Sequence, residues 1–174
     1  MKHAPVWLRA VPDSWILNLS TLGRLGYLSK APGTLGSLAG LVWFTVVFYH
    51  LNLFFFMFLA VLTLYLAVLI CGEGERRMRK VDPPEMILDE MVAIPLCFFG
   101  LQVGGPQPVL DGPFAWLVVL LGFVLFRFFD ILKPLGIRGL QKMPGGQGVV
   151  IDDVAAALAT CVCLHLIVAL TPLS

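Results

Sequence analysis

Charge is what this sequence has least of: Asp, Glu, Lys and Arg make up 13% of its 174 residues, while 59% are hydrophobic. A soluble domain carries about a quarter charged and about half apolar residues, so a large soluble domain is excluded and an integral membrane protein is implied. From Ala31 to Gly72 there is no charged residue at all. Neither sign dominates, since 12 Lys/Arg against 11 Asp/Glu leave a formal charge of +1, which provides no field for nucleic acid or an acidic partner. Histidine is scarce: His3, His50 and His165 fall in the N-terminal tail, an outer turn and the last apolar run, so none is placed for a phosphohistidine or a general base. Cys71, Cys97, Cys161 and Cys163 lie in or at the ends of apolar runs without metal-knuckle spacing, and read as buried inert thiols. No cysteine-phosphatase loop and no Ser/His/Asp set is apparent. Lys2 and Arg9 are followed by no apolar h-region, because Pro12, Asp13 and Asn18 interrupt it, so no cleaved signal peptide is expected.

What is present is a series of apolar runs. At ~1.5 Å per residue against a hydrocarbon core ~30 Å thick, the chain has room for four or five spans in a single domain covering residues 1–174. The spans are expected at Thr34–Tyr49, Leu53–Cys71, Met86–Leu101, Phe114–Leu132 and Val154–Leu170, with a tight turn at His50–Asn52. The first and third are short for a crossing. Residues 15–29 are weakly apolar and broken by glycine, which suits an interfacial segment within an N-terminal stretch of residues 1–29. The expected fold is an all-α polytopic membrane bundle of about five embedded helices. Basic residues favour the cytoplasmic side when they lie in short loops beside spans. Lys2, Arg9, Arg24 and Lys30, then Arg76, Arg77, Arg79 and Lys80, then Lys133, Arg138 and Lys142 all fall on one side of a five-span topology, whereas 50–52 and 102–113 carry none. The N-terminus is therefore expected inside and the C-terminus outside.

That topology gathers most of the acidic residues on the same face. Asp82, Glu85, Asp89 and Glu90 open the third run, Asp130 closes the fourth, Asp152 and Asp153 open the fifth, and Glu73 and Glu75 lie in the loop between the second and third. An ionised carboxylate in hydrocarbon costs on the order of 3 kcal/mol unless it is paired or hydrated, so these residues need partners, and a divalent cation is the obvious one. Read as a helix start, 82–90 places Asp82, Glu85 and Asp89 on one face. Asp82 as N-cap, Pro83 at N1 and Glu85 at N3 would also form a capping box with no chemistry attached, but Asp89 and Glu90 lie beyond the reach of that explanation. In 127–134, Arg127 and Asp130 form either an i,i+3 ion pair or a phosphate contact beside a metal ligand, and Lys133 meets the helix C-terminus. The glycine-rich 145–153 leads into the last helix, where Asp152 is a possible N-cap; capping explains one of two adjacent aspartates better than both. In 30–37, Pro32 and Gly33 punctuate, Thr34 is a candidate cap and Lys30 stands at the membrane border, as a phosphate contact or a snorkelling anchor.

Up to seven carboxylates, two or three cations and two glycine-rich loops thus meet in one cytoplasm-facing pocket. Hard oxygen ligands without His or Cys suit Mg²⁺, which binds through a few carboxylates and substrate phosphate oxygens. At SKAPGTLGSLAG (29–40), DPPEMILDEMVA (82–93), FRFFDILKP (126–134) and GGQGVVIDDVAAA (145–157) the chain resembles the phosphatidylglycerophosphatase A family of small bacterial inner-membrane enzymes, in the family's order from about Leu19 to Ala157. The resemblance implies Mg²⁺-dependent hydrolysis of the phosphomonoester of phosphatidylglycerophosphate, a bilayer phospholipid substrate, and an active site facing the cytoplasm. On the combined reading, Asp89, Glu90, Asp130, Asp152 and Asp153 hold Mg²⁺ and do the chemistry, with Glu85 as a further ligand, while Lys30, Thr34, Arg127 and Lys133 contact phosphate. A homo-oligomer is compatible with such a bundle. A rival reading, a small transporter or ion-conducting subunit, requires charges spread through the bilayer depth, and the runs here have uncharged centres. A lipid phosphotransferase would require a denser acidic helix pair.

Overall fold

The computed structural model describes residues 6–102, 109–134, 136–143 and 146–171, and the regular secondary structure among them is helical. Lys2 and His3, Gly145 of the glycine-rich stretch and residues 103–108 of the 102–113 connection lie outside the described residues. Two short helices, α1 (Val6–Arg9) and α2 (Asp13–Ser20), precede five longer ones. These are α3 (Pro32–Trp43, continued by a π-helical turn over Phe44–Phe48), α4 (Leu53–Met78), α5 (Leu88–Cys97), α6 (Ala115–Leu132) and α7 (Gly146–Leu170). Among the described residues, α4, α6 and α7 are long and apolar enough to cross a membrane, and α3 with its π turn is a shorter apolar helix.

Local chemistry accounts for most of the ends. Pro32 takes the first helical position of α3, where its missing N–H costs nothing. Asn52 caps α4 by accepting a hydrogen bond from Phe55 N at 3.0 Å. Lys133 ends α6 in the left-handed region at φ +45°, and Pro134 cannot continue the helix. The third apolar run is helical over ten residues only, carries Pro95 inside the helix, and unwinds after Cys97. Irregular backbone at that depth is tolerated because it is packed in protein rather than lipid: Phe98 and Leu101 are buried in the main core with Phe44, Phe56, Phe126 and Leu164.

Four sequence expectations change. Glu73 and Glu75 are not in a loop, because α4 runs on past the apolar stretch to Met78. Residues 82–87 are not a helix start: Asp82 sits at φ +46°, its N–H donates to Glu75 Oε1 at 2.8 Å, and α5 begins at Leu88 without a side-chain cap. Two consecutive prolines, with the α region disfavoured for the residue before each, hold this stretch out of the helix, so the capping box does not form. Thr34 does not cap α3, because Ala31 occupies the N-cap position. The glycines at 146 and 148 belong to α7 itself, so Asp152 and Asp153 lie in its second turn and neither is an N-cap. Their service is close packing: a Cβ at Gly146 would strike the Val68 carbonyl oxygen and the backbone of Gly72 on α4. Gly36 and Gly40 do the same for α3 against Ile87 and Ile94, the small-residue contact typical of helices in lipid.

The N-terminal segment is pinned to the end of α4. Buried Glu73 accepts hydrogen bonds from Arg76 and Arg77; Arg77 also reaches Asp13 at 2.8 Å and the Leu8 carbonyl at 3.1 Å. Ile87 N donates to Ser20 O at 3.0 Å, so the same segment braces the loop that precedes α5. Trp7, Trp15, Tyr27 and Leu28 remain exposed, as an interfacial segment requires.

Candidate active site

The N-terminal ends of α3, α5 and α7, the C-terminal end of α6 and the 82–86 loop enclose a polar cavity of about 300 Å³. Its lining includes six carboxylates, Asp82, Asp89, Glu90, Asp130, Asp152 and Asp153, and two cations, Arg127 and Lys133. At its centre one oxygen each of Asp89, Glu90 and Asp153 lie within 4.8 Å of one another. Asp89 is 5% exposed and Asp152 and Asp153 are 3% exposed each. Asp89 Oδ1, Glu90 Oε2 and Asp152 Oδ1 are buried without a hydrogen-bond partner among the described residues.

The surrounding ion pairs divide these carboxylates into two groups. Arg127 Nη1 donates to Asp130 Oδ2 at 2.6 Å and stands 3.5 Å from Ser37 Oγ on α3. Lys133 Nζ donates to Asp152 Oδ2 across to α7. Burial would lower the Lys133 ammonium's pKa, but the Asp152 hydrogen bond and the charges of Asp152, Asp153 and Asp130 outweigh it and hold it above the ordinary lysine value. Asp130 and Asp152 therefore each have a cation, whereas no ion pair is formed by Asp89, Glu90 or Asp153 among the described residues. At an effective dielectric of about 20, two unit charges at the separation limit of this triad repel by about 3 kcal/mol, so three such pairs approach the whole stability of a domain. A fully ionised triad requires a cation. All-oxygen donors that are buried and unpartnered fit a hard divalent ion.

Of the residues singled out in the sequence, Asp89, Glu90, Arg127, Asp130, Lys133, Asp152 and Asp153 are brought together. Glu85 is not: its carboxylate faces outward to Lys80 at 3.6 Å. Lys30 is exposed and Thr34 half-buried, and neither lines the cavity, although their neighbours Ala31, Pro32 and Gly33 do. Asp82, expected as a cap, lines the cavity instead, because the helix starts at Leu88, five residues later than the sequence suggests. Gly33 was legible only as punctuation. Its function is spatial: a Cβ there would come 2.6 Å from Glu90 Oε1 and 2.9 Å from Arg127 Nη1.

The family model described as Phosphatidylglycerophosphatase A matches residues 18–168. A relative with that name from Haemophilus influenzae is 34% identical over 134 residues, covering 76% of each chain. Another with that name from Escherichia coli is 30% identical over 138 residues, covering 78% of this chain and 73% of the relative. A putative phosphatidylinositol-3-phosphatase of Bacteroides thetaiotaomicron is 34% identical over 140 residues, covering 76% of this chain and 80% of its own. No solved structure matches.

Proposed function

The chain belongs to the phosphatidylglycerophosphatase A family, and from that premise we propose that it is a Mg²⁺-dependent phosphatase of the bacterial inner membrane. It hydrolyses the phosphomonoester of phosphatidylglycerophosphate to phosphatidylglycerol and phosphate, at a site facing the cytoplasm. The observation that carries the metal-dependent reading is the buried triad Asp89, Glu90 and Asp153, with two of its oxygens unpartnered. The ion-channel reading is not favoured, since the acidic cluster lies at one end of the bundle.

Asp89, Glu90 and Asp153 would hold the metal, which when bound neutralises phosphate charge and positions the phosphoryl group for in-line attack. Asp130 and Asp152 hold Arg127 and Lys133 against the cavity, so that two cations face a substrate that brings its own negative charge. The 82–86 loop lines one side of the site, while the acyl chains stay in the bilayer.

Phosphate release from phosphatidylglycerophosphate by the purified protein, with and without EDTA, tests this directly. Release that stops on chelation and returns with Mg²⁺ is expected; release unchanged by EDTA removes the metal, and no release under any condition removes the phosphatase. Gly33→Ala tests the space in front of the triad. The new Cβ displaces the far ends of two flexible side chains, so the fold survives with a melting temperature within a few degrees of wild type. Turnover falls on the order of 10²-fold, the cost of misplacing reacting groups by about 1 Å.

A further inference from the structure

Arg127 and Lys133 occupy different places along α6. Lys133 is the residue that ends the helix; the backbone of Arg127 lies six residues earlier, about 9 Å further from the cytoplasmic end at 1.5 Å of rise per residue, and its guanidinium reaches back one turn to Asp130 and so stays the deeper of the two anchors by less than that. Arg127 is packed against α3 at Gly33 and Ser37, in the seam between α3 and α6. On the same helix face, Asp130 at i+3 is its ion-pair partner, while Val124 at i−3 and Ile131 at i+4 are apolar and open to the bilayer, 53% and 63% exposed. Lys133 instead reaches across to Asp152 on α7, away from that seam. Each cation has its own carboxylate, and both line the same cavity with the triad. The site therefore has two anion bays at two depths rather than one basic patch.

We propose that these bays read a lipid head group carrying two phosphates: Arg127 binds the phosphodiester next to the acyl chains, and Lys133 binds the terminal phosphomonoester that is hydrolysed. This assignment rests on the phosphatase reading above. In a bilayer lipid the diester is nearer the hydrocarbon and the monoester lies a glycerol bridge further out, so the depth order of the phosphates is the depth order of the cations. The chemistry agrees as well. A guanidinium forks onto the two free oxygens of a diester, and an ammonium is a compact point charge suited to a monoester dianion.

The test compares phosphatidylglycerophosphate with an analogue that keeps the acyl chains, glycerol spacer and terminal phosphate but has a neutral methylphosphonate in place of the diester. A charge-assisted hydrogen bond of typical strength makes wild-type kcat/KM fall roughly 10–100-fold on the analogue. Arg127→Met loses a similar factor on the natural lipid and little more on the analogue, while Arg127→Lys recovers part of the loss on the natural lipid alone. Lys133→Met loses activity on both by the same factor, as independent sites do. Equal losses on the two lipids for Arg127→Met overturn the assignment. Equal wild-type kcat/KM on the two lipids overturns it without any variant, which covers the case in which Arg127→Met does not fold. If the wild type releases phosphate from neither lipid, the phosphatase reading itself fails, an outcome distinct from loss of the bay assignment.

Discussion

Asp89→Asn is expected to abolish Mg²⁺-dependent phosphate release, by at least ~10³-fold, and to raise rather than lower the stability of the metal-free protein. The two effects have one cause. Asp89 is 5% exposed and shares a site with Glu90 and Asp153, so its charge is held in place against repulsion from two neighbours. The amide keeps the shape and removes the charge, which relieves two of the three repulsive pairs. Each 1 kcal/mol gained in this way raises the melting temperature by roughly 2–4 °C for a chain of this size. The same change removes a ligand from the proposed metal site, and a metal that stabilises transferring phosphoryl charge contributes several kcal/mol to the barrier. Thermal unfolding in detergent, with and without Mg²⁺, separates this from simple damage. Wild type should gain stability with Mg²⁺ by linkage, about 2.7 kcal/mol at a hundredfold excess over Kd, and the variant should gain far less. Wild-type turnover in Asp89→Asn would take Asp89 out of the site.

The sequence disclosed the membrane bundle and the clustering of charge for physical reasons that are local. A run such as Leu53–Cys71 has no polar partner for its backbone except itself, so helix is the only outcome in lipid. Asp89 and Glu90 stood out because their neighbours are apolar. What could not be read locally is which carboxylate pairs with which cation. The Lys133–Asp152 contact spans 19 residues, and it leaves Asp153, the adjacent aspartate, to the triad. The capping box at 82–85 was misleading because two prolines defeat the helix that it would start, and Glu85 then turns to Lys80. The roles of the glycines were also hidden. Their sequence pattern suits an anion-binding loop, and only the approach of a second helix shows that Gly146 is there to be small.

Gly146→Ala carries the largest expected effect on the fold. At an unconstrained helical position this change would add about 1 kcal/mol of stability through helix propensity. Here the new methyl meets backbone on α4, the Val68 carbonyl oxygen and Gly72, and backbone cannot rotate aside as a side chain can. The helices must part, and overpacking of this kind costs about 3 kcal/mol, so the melting temperature should fall by roughly 6–12 °C. Activity should fall as well in whatever fraction folds, for a reason that connects packing to chemistry. Asp152 and Asp153 are six and seven residues along the same helix, and this crossing with the valine contacts that follow it sets the distance of that end of α7 from α4. A shift of about 1 Å at the crossing is passed along a rigid helix to the triad, where misplacement on that scale costs on the order of 10²-fold in rate. Circular dichroism melting and phosphate release on the same preparation give both numbers. An unchanged melting temperature with unchanged turnover would mean that α7 does not cross α4 at Gly72.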